Sequence, residues 1–402
     1  MRAIRSFFTG LTLRPQGVTV VAAGFLPIFA IVSMFPIVAA MIQHFADDPD
    51  AKTKVPLMVT APGLTIAILA PFMGFFVDRF GRRPLLLGCT LLYGVFGTLP
   101  FFLQSLDAIL ATRLMLGVCE AGILTIVNTL IGDYWDDRGR RNWLFLQGMA
   151  GPFLASGVIL LSGTVASMRW NGGFLVYLVA FPIFFAMVRY LFEPKPPEAT
   201  VDTAEAPPAS AFPVASAAVV AVATLFCAAL YYVFIVNGSI VFQEIGINDP
   251  GAVGRMTAIP SLFIMLGAVI FRLLSGRGNA VQIATFLGLM GLGLAGLGLA
   301  RTVPVLFASL CLQQTAAGMA VPTLIAWAQT KFPFAHRGRG MGIWSSAFFL
   351  GQFVSPLIVH RLDLVAGSMQ GAFLITGIAS LVITLVALAA SLRGRTPALA
   401  AR

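Results

Sequence analysis

Apolar runs of membrane-crossing length alternate with short polar breaks along the whole chain. They fall at about 17–44, 55–77, 84–103, 108–131, 143–166 and 174–192, then at about 214–236, 251–274, 279–300, 304–327, 341–360 and 370–392. A helix needs roughly 20 apolar residues to cross a hydrocarbon core, and each run is close to that length or longer. The alternating strands of about 10 residues that mark a transmembrane barrel are missing. One break is longer than the rest. Glu193 to Pro213 reads EPKPPEATVDTAEAPPASAFP, rich in Pro, Ala and acidic residues, and predicts a linker. The pattern therefore predicts an all-α polytopic membrane protein with 12 transmembrane helices. A six-helix bundle over 1–192 is joined by the linker at 193–213 to a second six-helix bundle with a short tail over 214–402.

Composition removes the soluble rival. Of 402 residues, 58% are hydrophobic and 10% charged, with a mean hydropathy of +0.91. Soluble domains carry about 25% charged residues, and this chain has too little polar sequence to cover a large soluble core. The net charge of +10 raises nucleic acid as a partner. The positions of the charges argue against it. Basic residues gather in alternate loops: Arg79, Arg82 and Arg83; Arg138, Arg140 and Arg141; Arg272 and Arg277; Lys331, Arg337 and Arg339. The intervening loops hold only Lys52, Lys54, Arg169, Arg301 and Arg361. That bias is a topology signal, which places both termini and the linker in the cytoplasm. The four cysteines lie inside apolar runs and read as small buried hydrophobes. His44, His336 and His360 stand apart without metal-ligand spacing, so no metal is expected.

The densest polar knot is GFFVDRFGRR, Gly74 to Arg83, between the second and third runs. The two halves also echo each other. DDRGRR at 136–141 follows the fourth run and AHRGRG at 335–340 follows the tenth, while the counterpart of the knot, GAVIFRLLSGR, lacks the acid. Duplicated bundles of this kind enclose a midplane site in many secondary transporters. The knot resembles the signature loop of the major facilitator superfamily, G-x-x-x-D-R-x-G-R-R, filled at Gly74, Asp78, Arg79, Gly81, Arg82 and Arg83. RLMLGVCEAG, Arg113 to Gly122, resembles the R-x-x-x-G motif of proton-coupled members, and its Glu-Ala-Gly is similar to anion:cation symporters and spinster-like transporters. GPFLASG, Gly151 to Gly157, partly resembles the G-P-x-x-G-G motif of drug:proton antiporters, with Ala155 and Ser156 in place of the glycine pair.

Glu120 is the one carboxylate deep inside a predicted span. A charge at that depth costs several kcal/mol, and intramembrane ionisable residues default to function. Arg113 lies seven residues earlier, about two turns and roughly 10 Å along the axis, on nearly the same face. The pair is expected to serve proton coupling, with Arg113 leaning toward Glu120 or bridged to it. The resemblance implies that the Gly74–Arg83 loop is a conformational gate, with Asp78 latching against the start of span 11. It also implies that spans 1, 4, 7 and 10 line the cavity. Substrate-cavity candidates are then Asn128, Tyr231, Tyr232, Asn237, Gln313 and Gln314, joined by Gln147 and Gln352 from spans 5 and 11. Each is equally read as interhelical glue. Gly151, Pro152 and Gly157 are candidates for helix bending, with plain packing the even alternative.

The expected function is a proton-coupled secondary transporter moving a small amphipathic organic solute by alternating access, with efflux by proton antiport favoured. A proton symporter or uptake carrier for an organic anion, and an uncoupled facilitator, are the alternatives. No Walker loop is present, so the proton gradient and no bound cofactor is the expected energy source. No catalytic constellation for an intramembrane enzyme is visible. The expected partners are the small-molecule substrate and membrane lipid, with the chain acting as a monomer in a bacterial inner or cytoplasmic membrane.

Overall fold

The computed structural model describes residues 13–194, 211–333 and 336–393. The basic N-terminal stretch before Leu13 and linker residues 195–210 lie outside the described residues. Among the described residues twelve helices are long and apolar enough to cross a membrane. In the first half these are α1 (Arg14–His44), α2 (Ala51–Val77), α3 (Arg82–Phe102), α4 (Leu106–Tyr134), α5 (Asn142–Met168) and α6 (Gly172–Tyr190). In the second they are α7 (Val214–Glu244), α8 (Pro250–Leu273), α9 (Asn279–Leu299), α10 (Val303–Gln329), α11 (Arg337–Ala366) and α12 (Met369–Val386).

Local chemistry explains the irregularities. Pro27 and Pro36 break α1 into helical pieces and a short 3₁₀ turn, because proline lacks the N–H that would continue the ladder. The helix of α2 runs on to Phe80 and the next begins at Arg82, so the expected loop shrinks to the single residue Gly81. Gly81 takes φ +83°, a conformation that side chains with a Cβ resist. Asp136 and Asp249 cap the helices that lead into α5 and α8 through Gly139 N–H and Ala252 N–H.

Within each half, glycines let helices touch backbone to backbone. A Cβ on Gly293 would lie 2.6 Å from the Gln313 nitrogen of α10, and one on Gly377 would lie 2.4 Å from the Ala295 nitrogen of α9. Such close approach suits a medium in which dispersion and hydrogen bonds, rather than the hydrophobic effect, hold helices together.

Among the described residues, the close contacts between the halves gather toward one end. Gly163 of α5 meets the Pro250 carbonyl and Gly254 of α8. Ser156 Oγ hydrogen-bonds Ser261 Oγ at 2.5 Å and lies 3.1 Å from the Ala258 carbonyl oxygen. Gly63 of α2 packs on Gln352 of α11, and Phe35 of α1 lies 4.9 Å from Phe234 of α7, ring to ring. All these residues lie in the membrane half away from the basic loops. At the basic-loop end Gly74, Gly148, Gly338 and Gly342 face open space. The structure is therefore closed at one end and open at the end that carries the basic loops.

This geometry makes a prediction. A Cβ on Gly163 would lie 2.6 Å from the Pro250 carbonyl oxygen. Overpacking of this kind costs about 1–3 kcal/mol in the closed crossing, a shift of roughly 5- to 150-fold between states. Gly163→Leu should move the population toward separation of α5 and α8 at this end, read as longer distances between spin labels on the two helices. An unchanged distance distribution would contradict this account of the closure.

Candidate functional site

The centre of the first half is built on α4. Ser105 caps its start, accepting from Ala108 N–H at 3.5 Å. Arg113 and Glu120 are both 1% exposed. Arg113 Nη1 donates to Tyr177 Oη at 2.7 Å, and Nη2 donates to the Gly97 carbonyl at 3.1 Å and the Phe96 carbonyl at 3.3 Å. Its guanidinium carbon sits 4.8 Å from the Tyr177 ring centre and 5.2 Å from that of Phe174. Tyr177 Oη in turn donates a hydrogen bond to the Ala30 carbonyl at 2.9 Å. One guanidinium thus ties α4 to α3 and α6, and through Tyr177 to α1. Gly97 makes room for this, since a Cβ there would overlap the Tyr177 ring at 2.2 Å.

The sequence reading has Arg113 either leaning toward Glu120 or bridged to it by substrate or water. The structure sends it the other way. Among the described residues no ion pair joins the two. The reason is directional: helical side chains tilt toward the N-terminus of their helix, so a long side chain at 113 reaches away from 120. Glu120 is left with its Oε1 buried and without a hydrogen-bond partner.

The signature loop is anchored within its own half. Glu193, the first residue of the expected linker, accepts from the backbone N–H of Arg82 and of Arg83, both at 2.7 Å, and so caps α3. Arg82 Nε lies 2.5 Å from Asp133 Oδ2 at the end of α4. Arg83 Nη2 donates to the Val188 carbonyl of α6 at 3.0 Å. Gly74 and Arg79 are exposed, and the side chain of Asp78 lies outside the described residues. Sequence reasoning missed Glu193 and Asp133. Their signal was position alone, as acids at the ends of spans 6 and 4 on the basic side.

The cavity candidates divide. Asn128 is exposed at the open end, its Nδ2 donating to the Leu124 carbonyl of its own helix at 2.9 Å. Gln147 is half-buried, beside Gly24 of α1. Tyr231 is half-buried and Tyr232 buried, and both pack around Phe348, with ring centres 6.0 and 5.8 Å away. Trp344 stacks on Phe348 at 5.4 Å and keeps its Nε1 buried without a partner. Trp344 and Phe348 were not read from the sequence, although their i, i+4 spacing puts them on one face of α11. Gln313 is fully buried and turned to α9, its Nε2 3.9 Å from Met290 Sδ. Gln314 is buried on the same helix. Asn237 lies toward the closed end, bonded back to the Val233 carbonyl at 3.2 Å. Gln352 is buried at the α2–α11 crossing with Oε1 unpartnered. In α5, Gly157 faces open space, Gly151 meets only Phe25 at 3.4 Å, and the Pro152 carbonyl accepts from Ser156 at 2.9 Å.

Among the described residues, twelve helices of membrane-crossing length pack as two halves, with a buried carboxylate on the fourth. Residues 20–300 and 220–402 match the family model of the Major Facilitator Superfamily, and the chain belongs to that family. It is a multi-pass membrane transporter and not an enzyme. It is similar to solute carrier family 22 member 1 of Bos taurus, 31% identical over 162 residues, which is 40% of this chain and 28% of that protein. It is also similar to the multidrug efflux pump LfrA of Mycolicibacterium smegmatis, 29% identical over 168 residues, 40% of this chain and 32% of the pump. The matched stretches thus span less than a third of either relative. The nucleoside transporter NupG superposes with a TM-score of 0.71 at 13% identity, covering 93% of this chain and 98% of its own, a likeness of fold.

The Arg113 tie can be tested apart from transport. Tyr177→Phe removes the hydroxyl that accepts from Arg113 and donates to Ala30. A hydrogen bond to a charged group contributes about 1.5–3 kcal/mol, so the variant should melt at a clearly lower temperature than wild type in detergent. An unchanged melting temperature would show that this tie does not hold the bundle.

Proposed function

We propose that this transporter couples the outward movement of a small amphipathic organic solute to inward proton movement. The observation that carries the reading is Glu120: a carboxyl at mid-span, 1% exposed, with one oxygen lacking any partner. A permanent structural ion pair would have satisfied it. A group that must take up and release a proton is better left without a fixed cation. The aromatic cluster of half-buried Tyr231 with buried Phe348 and Trp344 offers apolar surface with a few polar edges, which suits an amphipathic solute. Arg113 is engaged by Tyr177 and two carbonyls, which disfavours its use as an anion clamp and supports antiport over organic-anion symport. In this reading the Gly74–Arg83 loop is the gate at the open, cytoplasmic end. The protein works as a monomer in a bacterial cytoplasmic membrane, with no cofactor beyond the proton gradient.

The test is reconstitution of Glu120→Gln in proteoliposomes with a candidate solute. Accumulation driven by a pH gradient should fall at least about tenfold, because the amide cannot exchange a proton. Solute counterflow, which needs no net proton movement, should persist. Full retention of gradient-driven accumulation would overturn the assignment of Glu120. Proton and solute moving in the same direction would overturn antiport.

A further inference from the structure

A groove of about 1010 Å³ lies between α2 of one half and α7 and α11 of the other, at the basic-loop end, and Glu120 is not among the residues that line it. Its walls are apolar. Ile68 on α2 and Val222 on α7 are 56% and 71% exposed beside it. On α11 it is lined by Gly338, Gly342 and Ser346, one turn apart on a single helix face. A Cβ on Gly338 or Gly342 would meet nothing within 4 Å. These small residues are therefore not required by helix packing, and what they provide is the depth of the groove. Among its described lining residues one is charged, the exposed Arg339 from the second basic loop AHRGRG. Among the described residues Arg339 forms no ion pair. The α2–α11 crossing at Gly63 and Gln352 closes the groove's inner end.

A long apolar trough with a lone cation at its membrane-surface end is complementary to a molecule with an acyl tail and an anionic head. We propose that this groove is a binding site for an anionic phospholipid of the surrounding bilayer, with an acyl chain along the face of Gly342 and Ser346 and the phosphate on Arg339. Basic pockets between transmembrane helices bind such head groups. Because the groove has one wall from each half, the lipid wedges the halves apart at this end. Closing this end brings α2 and α11 together and expels it. The lipid therefore binds the open form and shifts the population toward it by its differential affinity for the two states.

The test uses the purified full-length protein titrated in mixed micelles with phosphatidylglycerol or phosphatidylcholine. Bound lipid is counted by native mass spectrometry, with thermal unfolding in parallel. Phosphatidylglycerol should bind about fivefold tighter, the ratio that one cationic contact near a surface supplies. Arg339→Gln should abolish that preference, while Arg277→Gln, in another basic loop, should keep it. Gly342→Leu, which fills the groove without a backbone clash, should lose both lipids. If its helical signal is lost, Ser346→Phe fills the same face one turn on and is read instead. A wild-type preference in Arg339→Gln, an equal loss in Arg277→Gln, or retained binding with the groove filled would each overturn the site. Glycerol 3-phosphate reproducing the full thermal shift would also overturn it, by showing a free-phosphate site without a tail.

Discussion

The hydrocarbon interior of a bilayer offers no water to satisfy a stray polar group, so a polar group buried among these helices is costly unless it finds a partner within the chain. Much of the structure follows from that constraint. Threonines and serines bond back to their own helices, as Thr125 does to Ala121 and Thr257 to Val253. Arg113 could not be carried at all without Tyr177 and the carbonyls of Phe96 and Gly97. Those carbonyls are available because α3 gives way to a 3₁₀ turn at Leu99–Phe102, which leaves the last helical turn short of donors. The positive charge is thus spread over four helices and becomes the fixed point of the first half. Glu120 sits on the same helix outside that arrangement, and its isolation is meaningful because its neighbour's donors are already committed.

The same constraint shapes the contact between the halves. At the closed end they meet through glycine backbones and two serine hydroxyls, groups that can come together or part without leaving a charge stranded. No ion pair among the described residues locks that crossing. Charged contacts lie instead within a half, where nothing has to separate: Arg82 with Asp133, and Glu193 on the amides that begin α3. Rigid bodies with internal salt links and soft mutual surfaces are the parts that rocking between two states requires.

Much of this was legible in the chain. Span length, the alternation of basic loops and the helix-breaking prolines depend on local chemistry, and the twelve helices match the apolar runs to within a few residues at most boundaries. What depends on direction was not legible. Seven-residue spacing placed Arg113 and Glu120 on one face, but the tilt of side chains toward the helix start decides which way an arginine reaches. Gln313 reads as a polar group on a cavity helix, yet its angle on α10 turns it to Met290. Glu193 reads as part of an acidic linker, and its role appears only when α6 ends beside the start of α3. Trp344 and Phe348 are two aromatics among many until α7 supplies the tyrosines they pack against.

Holding a bundle together and sensing a gradient place opposite demands on a charged pair in one helix. A residue that holds a bundle together must keep its partners through every state, and Arg113 has donors placed on three neighbours within one rigid half. A residue that senses a gradient must change its protonation, and a fixed cation at contact distance would oppose the neutral form. Placing the guanidinium away from the carboxylate lets one helix do both. With Glu120 as the proton site proposed above, the span-four motif is an anchor followed by a titratable site, and the spacing between them keeps the two apart.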